Sequence, residues 1–202
     1  MNELKALMHT LHIDWIQCVV LIMGVTEVLL ARANNVLLYP AGIIATTLSI
    51  YALFITQLYA ESALNVYYLV MSIYGWWYWS GAHGEPTPVT FNTVRDWVTT
   101  LLIVCFSWII LYLCLSWFTT SDVPAWDAWV SATGWAGMWL LARRKVENWL
   151  LLNLSNAFAI PLFFFKDRPL FALLTMFLFM VACIGYVSWR KKAATRASQI
   201  IV

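Results

Sequence analysis

The apolar positions of this chain fall in long blocks separated by short polar clusters. They do not form the stripes that a half-buried soluble helix or strand leaves. A helix needs roughly 20 mainly apolar residues to cross the hydrocarbon core of a bilayer. Seven blocks approach that length: residues 13–31, 35–56, 60–80, 97–117, 126–142, 148–165 and 170–189. The breaks between them carry turn chemistry, with GAHGEPTP at 81–88, a polar stretch at 119–124 and KDRP at 166–169. Pro40 falls in the first turn or so of the second block, where its missing donor matters least, whereas Pro161 lies inside the sixth and predicts a kink. The N-terminus has the basic residue and apolar run of a signal peptide. Gln17 and Glu27 interrupt that run and no convincing A-x-A cleavage site follows, so it reads as the first membrane helix. The predicted fold class is all-α, a polytopic membrane protein with seven transmembrane helices.

Seven crossings put the termini on opposite sides and sort the twelve basic residues nine to three. Arg32, Arg95, Arg143, Arg144, Lys145, Arg190, Lys191, Lys192 and Arg196 share the side of the C-terminus, against Lys5, Lys166 and Arg168. Cytoplasmic loops are the basic ones, so the N-terminus is expected outside and the C-terminus in the cytoplasm. Composition agrees with a membrane chain: 62% of residues are hydrophobic and 11% charged, where a soluble domain carries about a quarter charged. A formal net charge of +2 is too small to suggest nucleic acid, and the basic residues are not clustered as a nucleic-acid footprint would be. Cys18, Cys105, Cys114 and Cys183 lie in apolar runs without metal-ligand spacing, so no metal or other cofactor is expected.

An internal repeat adds architecture. Leu29-Leu30-Ala31-Arg32 matches Leu140-Leu141-Ala142-Arg143, Leu58-Tyr59-Ala60 matches Leu170-Phe171-Ala172, and Gly75-x-x-x-Trp79 matches Gly185-x-x-x-Trp189, at offsets of 111, 112 and 110. The reading is a three-plus-one-plus-three plan: a first three-helix repeat over 1–80, a loop and linker helix over 81–118, and a second repeat with a basic tail over 119–202. A single linker helix gives the two triplets the same orientation. Parallel repeats of this kind place the substrate near the midplane, between the repeats.

Polar side chains at membrane depth are costly and face a cavity or another helix. Trp149, Asn153 and Asn156 of the sixth block are spaced i, i+4, i+7 and share one helical face. An indole offers a flat stacking surface, and two amides offer donors and acceptors, which suits an aromatic solute with polar substituents. Asn65 and Ser72 share a face of the third block, with Tyr74 nearby. The competing assignment for each amide or hydroxyl is a hydrogen bond to a neighbouring helix. Glu27 lies about one turn from Arg32 and Glu147 follows Lys145 at the mouth of the sixth span, and both are expected to be interfacial or ion-paired and not proton relays. No carboxylate is therefore expected near a span's middle, which argues against a proton pump. No P-loop is present, and no serine or cysteine pairs with a histidine for catalysis, so the chain reads as a transporter. The rival class, a membrane enzyme or assembly factor, lacks a cluster of reactive groups.

The stretch from Asn34-Asn35 through Gly42-Ile43-Ile44 and Leu58-Tyr59-Ala60 to Ser72-Ile73-Tyr74-Gly75-Trp76 resembles the PnuC family of vitamin transporters. So does Arg143-Arg144-Lys145-Val146-Glu147-Asn148-Trp149. The resemblance implies a fold like that of the SWEET sugar transporters, a homotrimer, and a place in the bacterial inner membrane. It also implies passage of an unphosphorylated vitamin down its gradient, nicotinamide riboside ahead of thiamine, followed by trapping by a cytoplasmic kinase. Nicotinamide riboside carriers of the family resemble Trp-x-x-Trp-x-x-x-Asn on the sixth span. Trp149 and Asn156 fit, while Leu152 stands at the second tryptophan. Asn65 stands where some members have glutamine and Ser72 where some have asparagine. Trp76, Tyr74 and Tyr39 are the candidates to supply the missing stacking face.

Overall fold

The computed structural model describes residues 2–56, 58–80, 87–119 and 121–200, so most of the predicted 81–88 loop lies outside the described residues. Seven α-helices are found among them: α1 (Asn2–Ala33), α2 (Leu38–Ile55), α3 (Tyr59–Trp79), α4 (Val94–Phe118), α5 (Pro124–Ala142), α6 (Asn148–Phe165) and α7 (Pro169–Ile200). By length and composition alone, α1, α2, α4, α6 and α7 qualify to cross a membrane. The other two, α3 and α5, have 21 and 19 residues, or about 28–32 Å at 1.5 Å per residue. Their tyrosines and tryptophans are amphipathic, with an apolar body and a polar tip, and this lowers their apparent hydropathy. Two ends differ from expectation. Helix α1 begins at Asn2 instead of residue 13, and α7 continues past Trp189, because no glycine or proline stops it before residue 200. Pro161 lies within α6, which continues through it to Phe165.

Six helices form a ring in the order α1, α2, α3, α5, α6, α7, and α7 closes back on α1. Helix α4 lies outside the ring, mainly against α5. That inner neighbour buries a run of small residues, Ala128, Ala132, Thr133, Gly134, Ala136 and Gly137, which lets adjacent backbones approach closely. Helix α4 leaves Leu101, Phe106, Ile109 and Trp117 exposed, as a lipid-facing helix does.

The α1–α2 and α5–α6 turns are built alike. Asn34 and Arg144, 110 residues apart, adopt φ of 60° and 55°. Asn34 and Asn35 donate backbone N–H groups to Ala31 and Leu30, as Arg144 and Lys145 do to Leu141 and Leu140, all at 2.9 Å. At the other end, Leu58 donates to Leu53 at 2.9 Å and Arg168 to Phe163 at 2.8 Å, again 110 residues apart. The common spacing corrects two of the three sequence matches. The Leu-Leu-Ala-Arg pair at 111 and the Leu-aromatic-Ala pair at 112 are out of register by one and two residues. Their likeness is one of composition, which recurs easily in apolar helices. The Gly-x-x-x-Trp match lies in register.

Candidate functional site

The basic end of the ring carries Arg143, Arg144 and Lys145 after α5 and Arg190 and Lys191 on α7. Here the in-register glycines admit one aromatic ring each. A Cβ on Gly75 would overlap the Tyr39 ring, and one on Gly185 would lie 2.7 Å from the Trp149 indole. Tyr39 then meets Trp79 edge to face at 5.2 Å and 87°, and Trp149 meets Trp189 the same way at 5.7 Å and 88°. Trp79 and Trp189 lie 5.8 Å apart. Each indole N–H crosses to the other triplet: Trp79 donates to the Ala142 carbonyl and Trp189 to that of Ala31, both at 3.1 Å. Tyr39 and Trp149 are 0% exposed. Both rings are therefore enclosed by protein at this end.

The 143–149 run that carries the family likeness is held by the segment before α4. Thr93 and Asp96 form a capping box at the start of α4. Asp96 also receives Lys145 at 2.8 Å and Arg143 at 3.5 Å. Lys145 reaches the Phe91 carbonyl at 3.2 Å, and Asn92 donates its backbone N–H to Glu147 at 2.8 Å. Thr90 pairs its backbone with Lys145 in an isolated bridge. The Arg144 guanidinium lies 4.0 Å over the Trp79 ring and donates to the Thr87 carbonyl. Burial lowers its proton affinity and the Tyr39 hydroxyl opposes this, but a guanidinium stays charged. At the opposite end, Lys166 is paired with Asp127 at 2.6 Å.

Away from the aromatic cluster the inner faces become polar. Asn153 donates to Cys183 Sγ at 3.4 Å while its Oδ1 has no hydrogen-bond partner among the described residues. The Ser72 hydroxyl, the Tyr39 hydroxyl and the Trp149 Nε1 are likewise buried and unpartnered among them. Asn156 and Asn65 are partly buried. Tyr74 stacks on Trp139 of α5 at 6.1 Å and 7°. Trp76 is 44% exposed and faces away from the cluster. Of the predicted site residues, Tyr39 and Trp149 thus join one aromatic cluster, Tyr74 lies on the α3–α5 junction, and Trp76 stands apart.

Three features were not legible as site residues. Tyr67 donates to the Trp135 carbonyl at 3.0 Å and stacks on that indole at 4.3 Å. The Tyr68 hydroxyl points at Gly134, 2.9 Å from where a Cβ would stand, beside Ser155. Glu27 is the third, and it corrects an expectation. Arg32 is exposed, and none of the ion pairs among the described residues includes Glu27. Its carboxylate instead lies on Gly42 of α2, with Oε1 2.5 Å from where a Cβ would stand. The missed signal was the glycine in the second turn of α2, a mark of close approach. A separate apolar hollow of about 500 Å³, lined by Trp108, Ala125, Trp126, Trp129 and Phe158, contains none of the predicted site residues.

Residues 14–191 match a family described as nicotinamide mononucleotide transporter. Two relatives described as nicotinamide riboside transporter PnuC, from Escherichia coli (strain K12) and Shigella flexneri, are each 25% identical over 216 residues. Each alignment covers 94% of this chain and 90% of the relative. A crystal structure described as the vitamin B3 transporter PnuC superposes with a TM-score of 0.71 at 22% identity, covering 96% of this chain and 88% of the other. That likeness bears on the fold.

Proposed function

The chain belongs to the nicotinamide mononucleotide transporter family, and from that premise we propose that it carries an unphosphorylated vitamin, foremost nicotinamide riboside, by facilitated diffusion between its two helix triplets. The observation that carries the choice of riboside over mononucleotide is electrostatic. A phosphate crossing the ring needs a cation to replace its water. Arg143, Lys145 and Lys166 are engaged by Asp96 and Asp127, and Arg144 by Thr87 and Trp79. A charged group that packs against a neighbouring helix of the ring without a paired cation among the described residues is a carboxylate, Glu27, on Gly42.

On this reading the unpartnered Asn153 and Ser72 atoms, with Asn156 and Asn65, hydrogen-bond the solute, and Trp149 lies at the basic end of its site. The basic end faces the bacterial cytoplasm, the triplets are parallel repeats, the assembly is a homotrimer, and a cytoplasmic kinase traps the vitamin. Thiamine is the second reading, because Leu152 takes the place of the second indole found in nicotinamide riboside carriers. A calorimetric panel on purified protein tests the choice. Nicotinamide riboside should bind and nicotinamide mononucleotide should not. Binding of the mononucleotide in preference to the riboside would refute the reading.

A further inference from the structure

The Glu27–Gly42 contact between α1 and α2 has a counterpart 110 residues on, between Gly137 of α5 and Leu152 of α6. The large and small partners are exchanged. Glu27 covers Gly42 from α1, whereas Leu152 covers Gly137 from α6, its Cδ2 2.8 Å from where a Cβ would stand. The matched turns put the two contacts at one depth. Glu27 lies six residues before the end of α1 and Leu152 four residues after the start of α6, about 9 and 6 Å from the basic end. Leu152 lies within one turn of Asn153 and Asn156 on α6. Glu27 therefore stands at the level of the proposed solute site, on the other triplet.

Its direction follows from its neighbours. Helices α1 and α3 make no contact among the described residues. The Glu27 carboxylate nevertheless interacts electrostatically with Tyr68 of α3 as well as Tyr39 of α2. With its oxygens against Gly42 and both tyrosines within electrostatic reach, the carboxylate lies over the α2 surface toward α3. No cation among the described residues pairs with it. A carboxylate at membrane depth without a counter-ion is costly and marks a solute or ion path.

We propose that Glu27 is the counter-ion for a positively charged ring nitrogen in the solute, so that the transporter selects cationic heteroaromatic solutes over uncharged ones. The proposal rests on the transport reading and refines it. Pyridinium and thiazolium rings both satisfy it, and a neutral flavin does not. It also bears on Leu152, which stands where the resemblance implies a second tryptophan. The second indole would attract a cationic ring through its face, and a carboxylate at the same depth supplies that attraction without it.

The test is the affinity ratio of nicotinamide riboside to its uncharged 1,4-dihydro form, measured by calorimetry on the full-length protein. The native protein should favour the cation by roughly tenfold or more, the size of a partly screened attraction between opposite charges. In Glu27→Gln the ratio should fall towards one. Should that variant not fold, the native ratio still decides, because equal affinities overturn the proposal. A ratio unchanged by Glu27→Gln also overturns it while leaving the transport reading intact. Native protein that binds neither riboside form, but binds riboflavin, overturns the charge selection and the choice of riboside. Thiamine binding in place of the riboside supports the charge selection and corrects the vitamin.

Discussion

Glycine identity at single positions decides how the rings pack. Gly75 and Gly185 lie under Tyr39 and Trp149, which are fully buried and cannot swing away. Gly75→Ala and Gly185→Ala should each destabilise the protein by about 1–3 kcal/mol through overpacking, read as a lower midpoint of thermal unfolding in detergent. Gly24 has nothing within 4 Å of its missing Cβ, so Gly24→Ala is the matched control and should unfold no earlier than the native protein. Affinity needs a residue whose loss does not empty the core. Trp149→Ala removes a fully buried side chain, which costs about 3–5 kcal/mol in cores, so it tests folding as much as binding. Asn156 is only partly buried. Asn156→Ala should weaken vitamin binding by up to about tenfold, the worth of one good hydrogen bond, with the unfolding midpoint little changed. Native affinity in that variant would place the site elsewhere.

Between elements, the contact most open to test is the docking of the α4 start on the α5–α6 turn. Asp96 serves twice, closing the capping box with Thr93 and pairing with Lys145 and Arg143. Its side chain is 11% exposed and that of Lys145 is 12% exposed, so solvent screens the pair only in part. Asp96→Ala should cost roughly 1–2 kcal/mol from the cap alone, and more from leaving Lys145 unpaired. Thr93→Ala removes the cap but leaves the pair, and should cost less. Thermal unfolding of both variants checks the order. If the two midpoints coincide, the Lys145 pair contributes nothing. The α7 extension beyond Trp189 belongs to this scale too. Lys192 reaches the Ala33 carbonyl at 3.4 Å, tying the basic tail to the end of α1.

For the whole molecule, orientation and energy coupling are the open properties. Reporter fusions after Arg32, within residues 81–95, after Lys145 and at the C-terminus should all report cytoplasm. An external C-terminus would contradict the parallel repeat. Coupling now has a different basis from the one that the sequence offered, because Glu27 packs against Gly42 and joins none of the ion pairs among the described residues. It is the carboxylate that a coupled proton or sodium ion would use. If it serves the solute's own charge, uptake into empty proteoliposomes should stop at the outside concentration when the membrane potential is held at zero, with or without a proton or sodium gradient, since a potential alone would displace the endpoint for a cation. Accumulation beyond that, driven by a gradient, would assign Glu27 to coupling.

Much of this was readable from the chain. Transfer of a segment into a bilayer is a local sum over its residues, so the seven blocks were visible, and α6 begins and ends where its pattern does. Turn chemistry marked the breaks, and the motif around Trp149 pointed to the family. The inside of the ring was not readable, for a physical reason. In lipid the outer face of a helix is as apolar as its packed face, so no periodic stripe separates the two. Tyr39, Tyr74 and Trp76 are equivalent candidates as letters, yet the first is enclosed and the last faces outward. Glu27 read as interfacial or ion-paired, one turn from Arg32, because sequence distance was the only guide. A glycine on a different helix opened another place for it. Apolarity along the chain set which segments span, and the meeting of small with large residues across helices, seen only in the tertiary structure, set which side chains the helices enclose.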